Sequence, residues 1–540
     1  MPERLPSLRR VTPSTRVIAV FLAGALFGAL SMVKIVPASS MVEIENFGTA
    51  LGSPDGGGST DGSTATDGST DTGGAEVTDG TAGTTDTSGT GGTGTTSGNG
   101  STSGTGGTAG TATTGQTAPP GVECAPGRNG GATDQGVTEN SINMATTIVA
   151  SGIGKAFLGE VRFAMDAVKN RVNREGGICG RLLDITYVDD GWDASDGAQF
   201  LRNFLEQGDI FAVPVGPSSE GLNIVIERGD FDKAQVPVVG TDGLIVKQYE
   251  KPDGSAQPWV WPVSAATVSS ARIMAVDAFE RAKANGETLT AEDFSIVFDF
   301  DYKFGEEGAE AFNQEVNRLT GGDVPGYSPG TSSCTPGTQF CAVDSGASSY
   351  AGEVDNFQPG KFVALFLEPD TGQKFMTDKN ATAASDTSTV PYGFGAAQPL
   401  FTAQFAKNCG AQCDQMMVWT GFKPFQEEYR SDPAVQAYVN DLHTTNSTAD
   451  ENNQFSLGAY IGMELLVEGL RAVGPDLKRV KLKAVLDQMQ LSTGLTLTDP
   501  MVFSPSNRYV ATNMQAWVIQ YGGVFGGWKS GQVVTDPDFR

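Results

Sequence analysis

Residues 49–120 are almost entirely Gly, Thr, Ser and Asp, and this tract divides the chain into parts that cannot share one core. A stretch such as STDGSTATDGSTDTGG at 59–74 has no apolar periodicity. Nothing in it offsets the entropy of ordering, so a disordered linker is expected over 49–120. A Gly-rich coil of that length spans roughly 45–50 Å, which suits a tether. Its Asp-Gly pairs lack the GGxGxD spacing of calcium-binding repeats.

Before the tract, residues 17–33 (VIAVFLAGALFGALSMV) carry no charge. Arg4, Arg9, Arg10 and Arg16 precede them, and only Lys34 follows closely. That length is long for a signal-peptide core and short for a membrane span. The positive-inside rule places everything after it outside the cytoplasm. Residues 1–48 are therefore expected to be a membrane anchor or a signal segment, with Ala38 and Ser40 before a candidate cut at Met41. A periplasmic or cell-surface body is expected in both cases.

The remaining residues, 121–540, suffice for two lobes and exceed one compact core. The net charge is −27, of which the body carries −22. An acidic body repels phosphate backbones, so nucleic acid is not an expected partner. His443 is the only histidine, so a Ser-His-Asp triad would have to use it and a His-rich metal site is excluded. It lies in a helix-like run and reads as a solvated helix-end residue. No phosphate loop of the form GxxxxGK[ST] occurs. Neither an enzyme nor a cofactor is expected. The six cysteines all follow residue 120 and read as disulfides of an oxidising compartment. Cys334 and Cys341 (CTPGTQFC) and Cys409 and Cys413 (CGAQC) can close small loops. Cys124 and Cys179 remain, and would pin the tether to the first lobe; other connectivities stay open.

The body alternates strands and helices. Residues 141–151 alternate apolar and polar positions, as a half-buried strand does. Leu158, Val161, Met165, Val168 and Val172 then mark one face of a helix over 154–174. Strands are expected at 182–188, 210–215 and 236–239, with helices at 194–206 and 220–228 between them. The pattern restarts with a helix at 265–284, a strand at 294–300 and a helix at 305–319. Further strands are expected at 361–367, 387–392, from 416, and over 509–520. Helices are expected at 425–429, 433–443, 455–473 and 477–489. Such alternation implies parallel sheets covered on both faces. Ligands bind beyond the carboxyl ends of such strands, so a cleft between two lobes is the expected site.

Several segments carry a family resemblance: GVTENSI at 136–142, GGICGR at 176–181 with YVDD at 187–190, FAVPVGPSS at 211–219, VPVVGTD at 236–242 and DYKFG at 301–305. In this order they resemble type I periplasmic binding proteins, in the leucine/isoleucine/valine-type branch that serves ABC importers. The resemblance covers residues 136–525. It implies an α/β fold of two Rossmann-like, doubly wound lobes joined by three crossovers. Lobe 1 is then expected at about 136–255 and 410–498, and lobe 2 at about 256–409 and 499–540. Crossings are expected near 242–262, 392–416 and 493–507. The implied partners are a small polar solute (an amino acid, amide or related compound) and an ABC transporter permease. A tethered sensor of the same fold and an adhesive or structural surface protein are the alternatives.

The implied site residues sit at strand ends. Ser218 and Ser219 open a helix whose free N–H groups suit a carboxylate, although a helix start also needs a capping serine. Thr241 and Asp242 end the next strand; the carboxylate suits an ammonium group, or an Asx turn before Gly243. Phe157, in the glycine-bearing segment SGIGKAF, is a candidate cover for the ligand. Tyr302 and Phe304 are the second-lobe candidates; the family motif has Tyr just before Gly, where this chain has Phe304. Tyr392 ends an expected strand and is a further candidate. Trp192, after Asp189-Asp190-Gly191, could line the cleft mouth, but a surface turn is the expectation.

Overall fold

A computed structural model describes residues 123–537, apart from 153, 217, 382–389 and 522–526, and gives the backbone alone at 527–530. The expected anchor at 17–33 and the tether at 49–120 lie outside the described residues. Among the described residues, no helix is long and apolar enough to cross a membrane.

The chain begins with β1 (Ser141–Ile148), α1 (Lys155–Leu158), α2 (Val161–Arg174), β2 (Leu182–Asp189) and α3 (Ala194–Gln207). It continues through β3 (Val213–Pro214), α4 (Ser219–Glu227), α5 (Asp230–Ala234), β4 (Val238–Thr241) and β5 (Val260–Pro262). β1 and β2 pair in parallel from Ser141–Leu182 to Ile148–Asp189. A parallel bridge from Met144 to Ala212 joins β1 to the β3 segment, and β4 and β5 follow in parallel. The first sheet thus runs β2-β1-β3-β4-β5.

The second half holds α6 (Thr267–Ala284), β6 (Phe294–Asp299), α7 (Lys303–Thr320), β7 (Phe340–Val343), α8 (Ala351–Asn356) and β8 (Phe362–Phe366). α9 (Pro369–Ala381), β9 (Phe394–Ala396), α10 (Ala403–Cys409) and β10 (Met417–Thr420) complete it. Its parallel strands run β7-β6-β8-β9-β10, which repeats the order of the first sheet. The chain returns through α11 (Pro433–Thr445), α12 (Gln454–Val473) and α13 (Arg479–Leu486). A short antiparallel pair follows, β11 (Gln490–Leu491) with β12 (Met501–Val502). Two antiparallel strands, β13 (Asn513–Gln520) and β14 (Gly527–Thr535), then extend the second sheet beyond β10.

Local sequence explains these elements. The predicted apolar face of α2 is buried along its length. Asp193 caps α3 by accepting from Ser195 N and Asp196 N, and Gly208 ends it in the left-handed region. α12 is buried on almost every face because it lies against β4. There Gly240, at φ +85°, meets Gly462; a Cβ on Gly240 would lie 2.3 Å from the Gly462 Cα. The three cysteine pairs are Cys124–Cys179, Cys334–Cys341 and Cys409–Cys413.

The chain passes between the halves three times. Val263 belongs to the first core and Ala265 to the second; Trp419 packs in the second and Phe422 in the first; Val510 packs in the first and Ala511 in the second. Each crossing falls later than the sequence suggested. β5 pairs with β4 in the first sheet, not beyond the expected limit at 255, and β10 pairs with β9 in the second sheet, not in the first half from 410. Both are the last parallel strand of their sheet. An apolar run does not reveal which sheet completes its hydrogen bonds. Of the expected strand at 387–392, residues 387–389 lie outside the described residues and 390–392 are not strand; β9 begins at Phe394, and residues 425–429 form turns rather than a helix.

Candidate functional site

The carboxyl ends of the parallel strands carry an unusual set of buried polar groups. Thr146 and Thr147 stand near the end of β1, Asp190 follows β2, Ser218 and Ser219 open α4, and Thr241 and Asp242 end and follow β4. All are at most 8% exposed. Among the described residues, Ser218 Oγ, Thr241 Oγ1, Asp190 Oδ2 and Asp242 Oδ2 have no hydrogen-bond partner. Asp190 Oδ1 accepts from Trp192 N at 2.9 Å. Asp242 Oδ1 accepts from Gln248 Nε2 at 2.7 Å and from Leu244 N at 3.4 Å.

Burial pushes the Asp242 carboxyl up to about 6, against the pull of Gln248, Ser219 and the Leu244 amide. Burial also raises Asp190, which lies beside the Thr147 and Ser218 hydroxyls. The Ser218-Ser219 turn therefore stands between two carboxylates, one beside each hydroxyl. Backbone strain gathers at the same edge. Val215 has φ +46° and Trp192 φ +66°, values that β-branched and bulky residues rarely adopt.

The second sheet answers with its own edge. Asp299 ends β6, Glu368 follows β8 and Gln398 follows β9; each is at most 2% exposed. Asp299 Oδ2 accepts from Glu368 N at 2.7 Å, while its Oδ1 has no partner. Glu368 Oε1 accepts from the Thr371 amide and hydroxyl, so it caps α9. Both amide atoms of Gln398 lack partners among the described residues. Burial raises Asp299 well above the carboxylate range and raises Glu368.

Aromatic rings join the two edges. Phe157 meets Trp192 edge-on at 4.9 Å, and Trp192 stacks on Tyr302 at 4.4 Å and 17°. Tyr302 lies 6.1 Å from Phe304. Trp192 comes from the first half and Tyr302 from the second, so the stack crosses the divide. Phe304 goes further: it leaves α7 and packs into the first core at 3% exposure. Backbone contacts reinforce this closure. Lys303 N donates to Glu220 Oε1 at 3.2 Å, Val246 N to Glu307 Oε2 at 2.7 Å, and Ala403 N to Asp450 Oδ2 at 2.9 Å.

The halves are thus in contact, and a void of about 10 Å³, lined by Asp242, Gly240, Ser264 and Phe455, lies beside the strand ends. Two larger cavities lie between the halves: about 610 Å³ among Tyr249, Glu307 and Tyr509, and about 760 Å³ among Lys155, Glu160 and Lys407. Neither is lined by Ser218 or Thr241.

Of the residues expected at the site, Ser218, Ser219, Thr241 and Asp242 gather at one sheet edge. Phe157, Tyr302 and Phe304 form, with Trp192, the aromatic bridge. Tyr392 is misplaced: it precedes β9, at the amino end, and its hydroxyl donates to Glu287 Oε2 at 2.6 Å. The expected strand ended at Tyr392, whereas the real one starts after it. Trp192 is not in a surface turn; it is 8% exposed. Gly154 makes room for it, since a Cβ there would lie 2.9 Å from the indole. Sequence reasoning also passed over Asp190, Asp299, Glu368 and Gln398. Their signal was present, a polar residue at or just after an apolar strand, but many such residues merely cap helices. His443 lies in the last turn of α11, with Nε2 3.3 Å from Glu451. Among the described residues no cluster suited to a metal ion occurs.

Solved structures share this architecture. A possible leucine/isoleucine/valine-binding protein from Rhodopirellula baltica SH 1 matches with TM-score 0.57 and 14% identity, covering 72% of this chain and 96% of its own. An ABC transporter solute-binding protein from R. palustris, in complex with 4-hydroxybenzoate, matches with TM-score 0.57 and 14% identity, covering 74% and 99%. A branched-chain amino acid transporter substrate-binding protein from Streptococcus pneumoniae, in complex with isoleucine, matches with TM-score 0.54 and 13% identity, covering 72% and 100%. At these identities the likeness establishes the fold. No curated protein matches the chain. A sequence model described as periplasmic binding protein matches residues 141–523. With the repeated strand order, the three crossings and that match over most of its length, this chain belongs to the periplasmic binding protein family.

Proposed function

We propose that this protein is an extracytoplasmic solute-binding protein of an ABC importer, held at the membrane by its N-terminal segment. It captures an amino acid, an amide or a related small polar solute between its halves and presents the closed form to a permease. The observation that carries this reading is the convergence of Ser218, Thr241 and Asp242, buried with unpartnered oxygens, on an edge that the Trp192–Tyr302 stack ties to the opposite half. Buried polar atoms without partners cost free energy, and a ligand that supplies the missing bonds offsets it. Closure over a solute then needs only rotation at the three crossings. No bond is made or broken in this scheme.

The test is binding with a distance readout. Spin labels placed on exposed Glu206 and Gln314 report the separation of the halves while small polar solutes are titrated. A saturable solute that narrows the distance distribution supports the reading; a protein that binds nothing and never opens refutes it. One observation favours a second reading, an adhesive or structural surface protein: the strand ends are closed over, with only about 10 Å³ of void at Asp242. That reading requires the halves to stay shut in solution, which the same labels measure.

A further inference from the structure

Eight acidic side chains are buried to at least nine-tenths among the described residues, and they fall into two groups of four. Asp277 pairs with Arg281, Glu315 with Arg318, Asp536 with Arg272, and Asp487 with both Arg508 and Lys483. Asp190, Asp242, Asp299 and Glu368 have no ion pair within 4.0 Å among the described residues. The paired acids are scattered over helices and the last strands. The unpaired ones all stand at the carboxyl ends of parallel strands, two on each half, on either side of the Trp192–Tyr302 stack.

Buried carboxylates are retained where something compensates them. Helix capping accounts for Glu368. It does not account for Asp190, Asp242 and Asp299, each of which leaves one oxygen without a partner. The uncharged groups beside them repeat the theme: Ser218 Oγ, Thr241 Oγ1 and both amide atoms of Gln398 are buried and unpartnered. Tyr302 lies close enough to Glu368 and Asp299 for their charges to help burial raise its phenol to about 12. The acids and the aromatic faces thus belong to one neighbourhood. Acidic oxygens beside stacked aromatic faces are the chemistry that recognises a cationic nitrogen.

We propose that the solute taken by the cleft is an amine-bearing organic cation, which supplies the positive charge that the protein withholds from Asp190, Asp242 and Asp299. This rests on the solute-binding reading above and narrows it from small polar solutes in general. The nitrogen donates to the free carboxylate oxygens, and its alkyl part lies against Trp192 and Tyr302. A free carboxylate on the solute has no cationic partner at these strand ends and is disfavoured.

Calorimetric titration of the full-length protein tests this with putrescine, spermidine and ethanolamine, against leucine and 4-hydroxybenzoate. At least one cation is expected to saturate at one site per chain, with leucine and 4-hydroxybenzoate weaker by tenfold or more. Asp242→Asn and Asp299→Asn are each expected to weaken the cation at least tenfold. Their melting temperatures, measured in parallel, should stay at or above that of the parent, because each replaces a buried acid that has no ion pair by a neutral amide of the same shape. Saturation by leucine or 4-hydroxybenzoate but by no cation overturns this inference and leaves the solute-binding reading standing. Binding of none of the five compounds overturns the inference and counts against the reading as well. Cation binding unchanged in both variants places the cation elsewhere and also overturns it.

Discussion

At the third crossing Arg508 is 1% exposed, and its guanidinium donates to Gln257 O at 3.0 Å, Val260 O at 3.1 Å, Ser504 O and Asp487 Oδ1 at 2.6 Å. It also lies 4.9 Å from the Trp261 ring centroid. At the cleft, Asp299 is 0% exposed, yet one oxygen meets nothing, and Asp242 and Asp190 repeat the pattern. The hinge region is electrostatically complete and the cleft is not. A hinge must hold the same partners in the open and closed forms, so saturated bonds serve it. A binding edge has to leave bonds unmade until its ligand arrives. On the proposed reading, stability and ligand capture fall to different parts of one α/β frame.

The contrast is most exposed to a change at Arg508. Arg508→Met strands Asp487 beside Lys483 alone and takes a donor from three carbonyls; unfolding in denaturant should show a loss of about 3–5 kcal/mol. An equal loss in Asp242→Asn would erase the distinction between hinge and cleft.

The next largest effect concerns pH. Asp242 is held near 6 when folded, above its ordinary value of 3.8, so it favours the fold while protonated. That contribution is complete below the ordinary value and is lost as pH rises through about 6, to the extent of up to about 3 kcal/mol. Glu220, raised by its own burial, faces the same group and adds to the trend. Asp242→Asn should therefore gain on the parent protein as pH rises from about 4 to about 7. Melting curves at both ends of that range decide it, and a variant that tracks the parent would show that Asp242 is compensated after all.

A smaller change sharpens the aromatic half of the comparison. In Gly154→Ala the new methyl group would sit 2.9 Å from the Trp192 ring, and helix α1 leaves little room to retreat. A destabilisation of about 1–3 kcal/mol is expected, with a change in near-ultraviolet circular dichroism as the Trp192–Tyr302 stack loosens. An unchanged spectrum would mean that the stack tolerates displacement. The smallest effect belongs to Tyr392→Phe. It removes a hydrogen bond to Glu287 at the amino end of the sheet and should leave solute affinity untouched; any loss of affinity would return Tyr392 to the site.

Much of this architecture could be read in advance because it is periodic. Val161, Met165, Val168 and Val172 mark α2 by spacing alone, and burial follows; Leu158, which the same spacing placed with them, lies in the separate short helix α1. Ser218 and Thr241 could be singled out because each follows an apolar strand. Trp192 could not: its place depends on a left-handed backbone at φ +66°, an Asp190 hydrogen bond and a glycine from another loop. Asp299 and Gln398 were invisible for a similar reason. A lone polar residue after a strand looks the same whether it caps a helix or waits for a partner.

Local periodicity and short-range turn chemistry were enough to specify the alternating strands and helices, because each element buries its own apolar face. Which sheet claims β5 or β10, and which buried acids lack a cation, were settled only when distant segments met. Strand pairing and charge compensation are properties of neighbours in space, and adjacency along the chain carries almost no information about them.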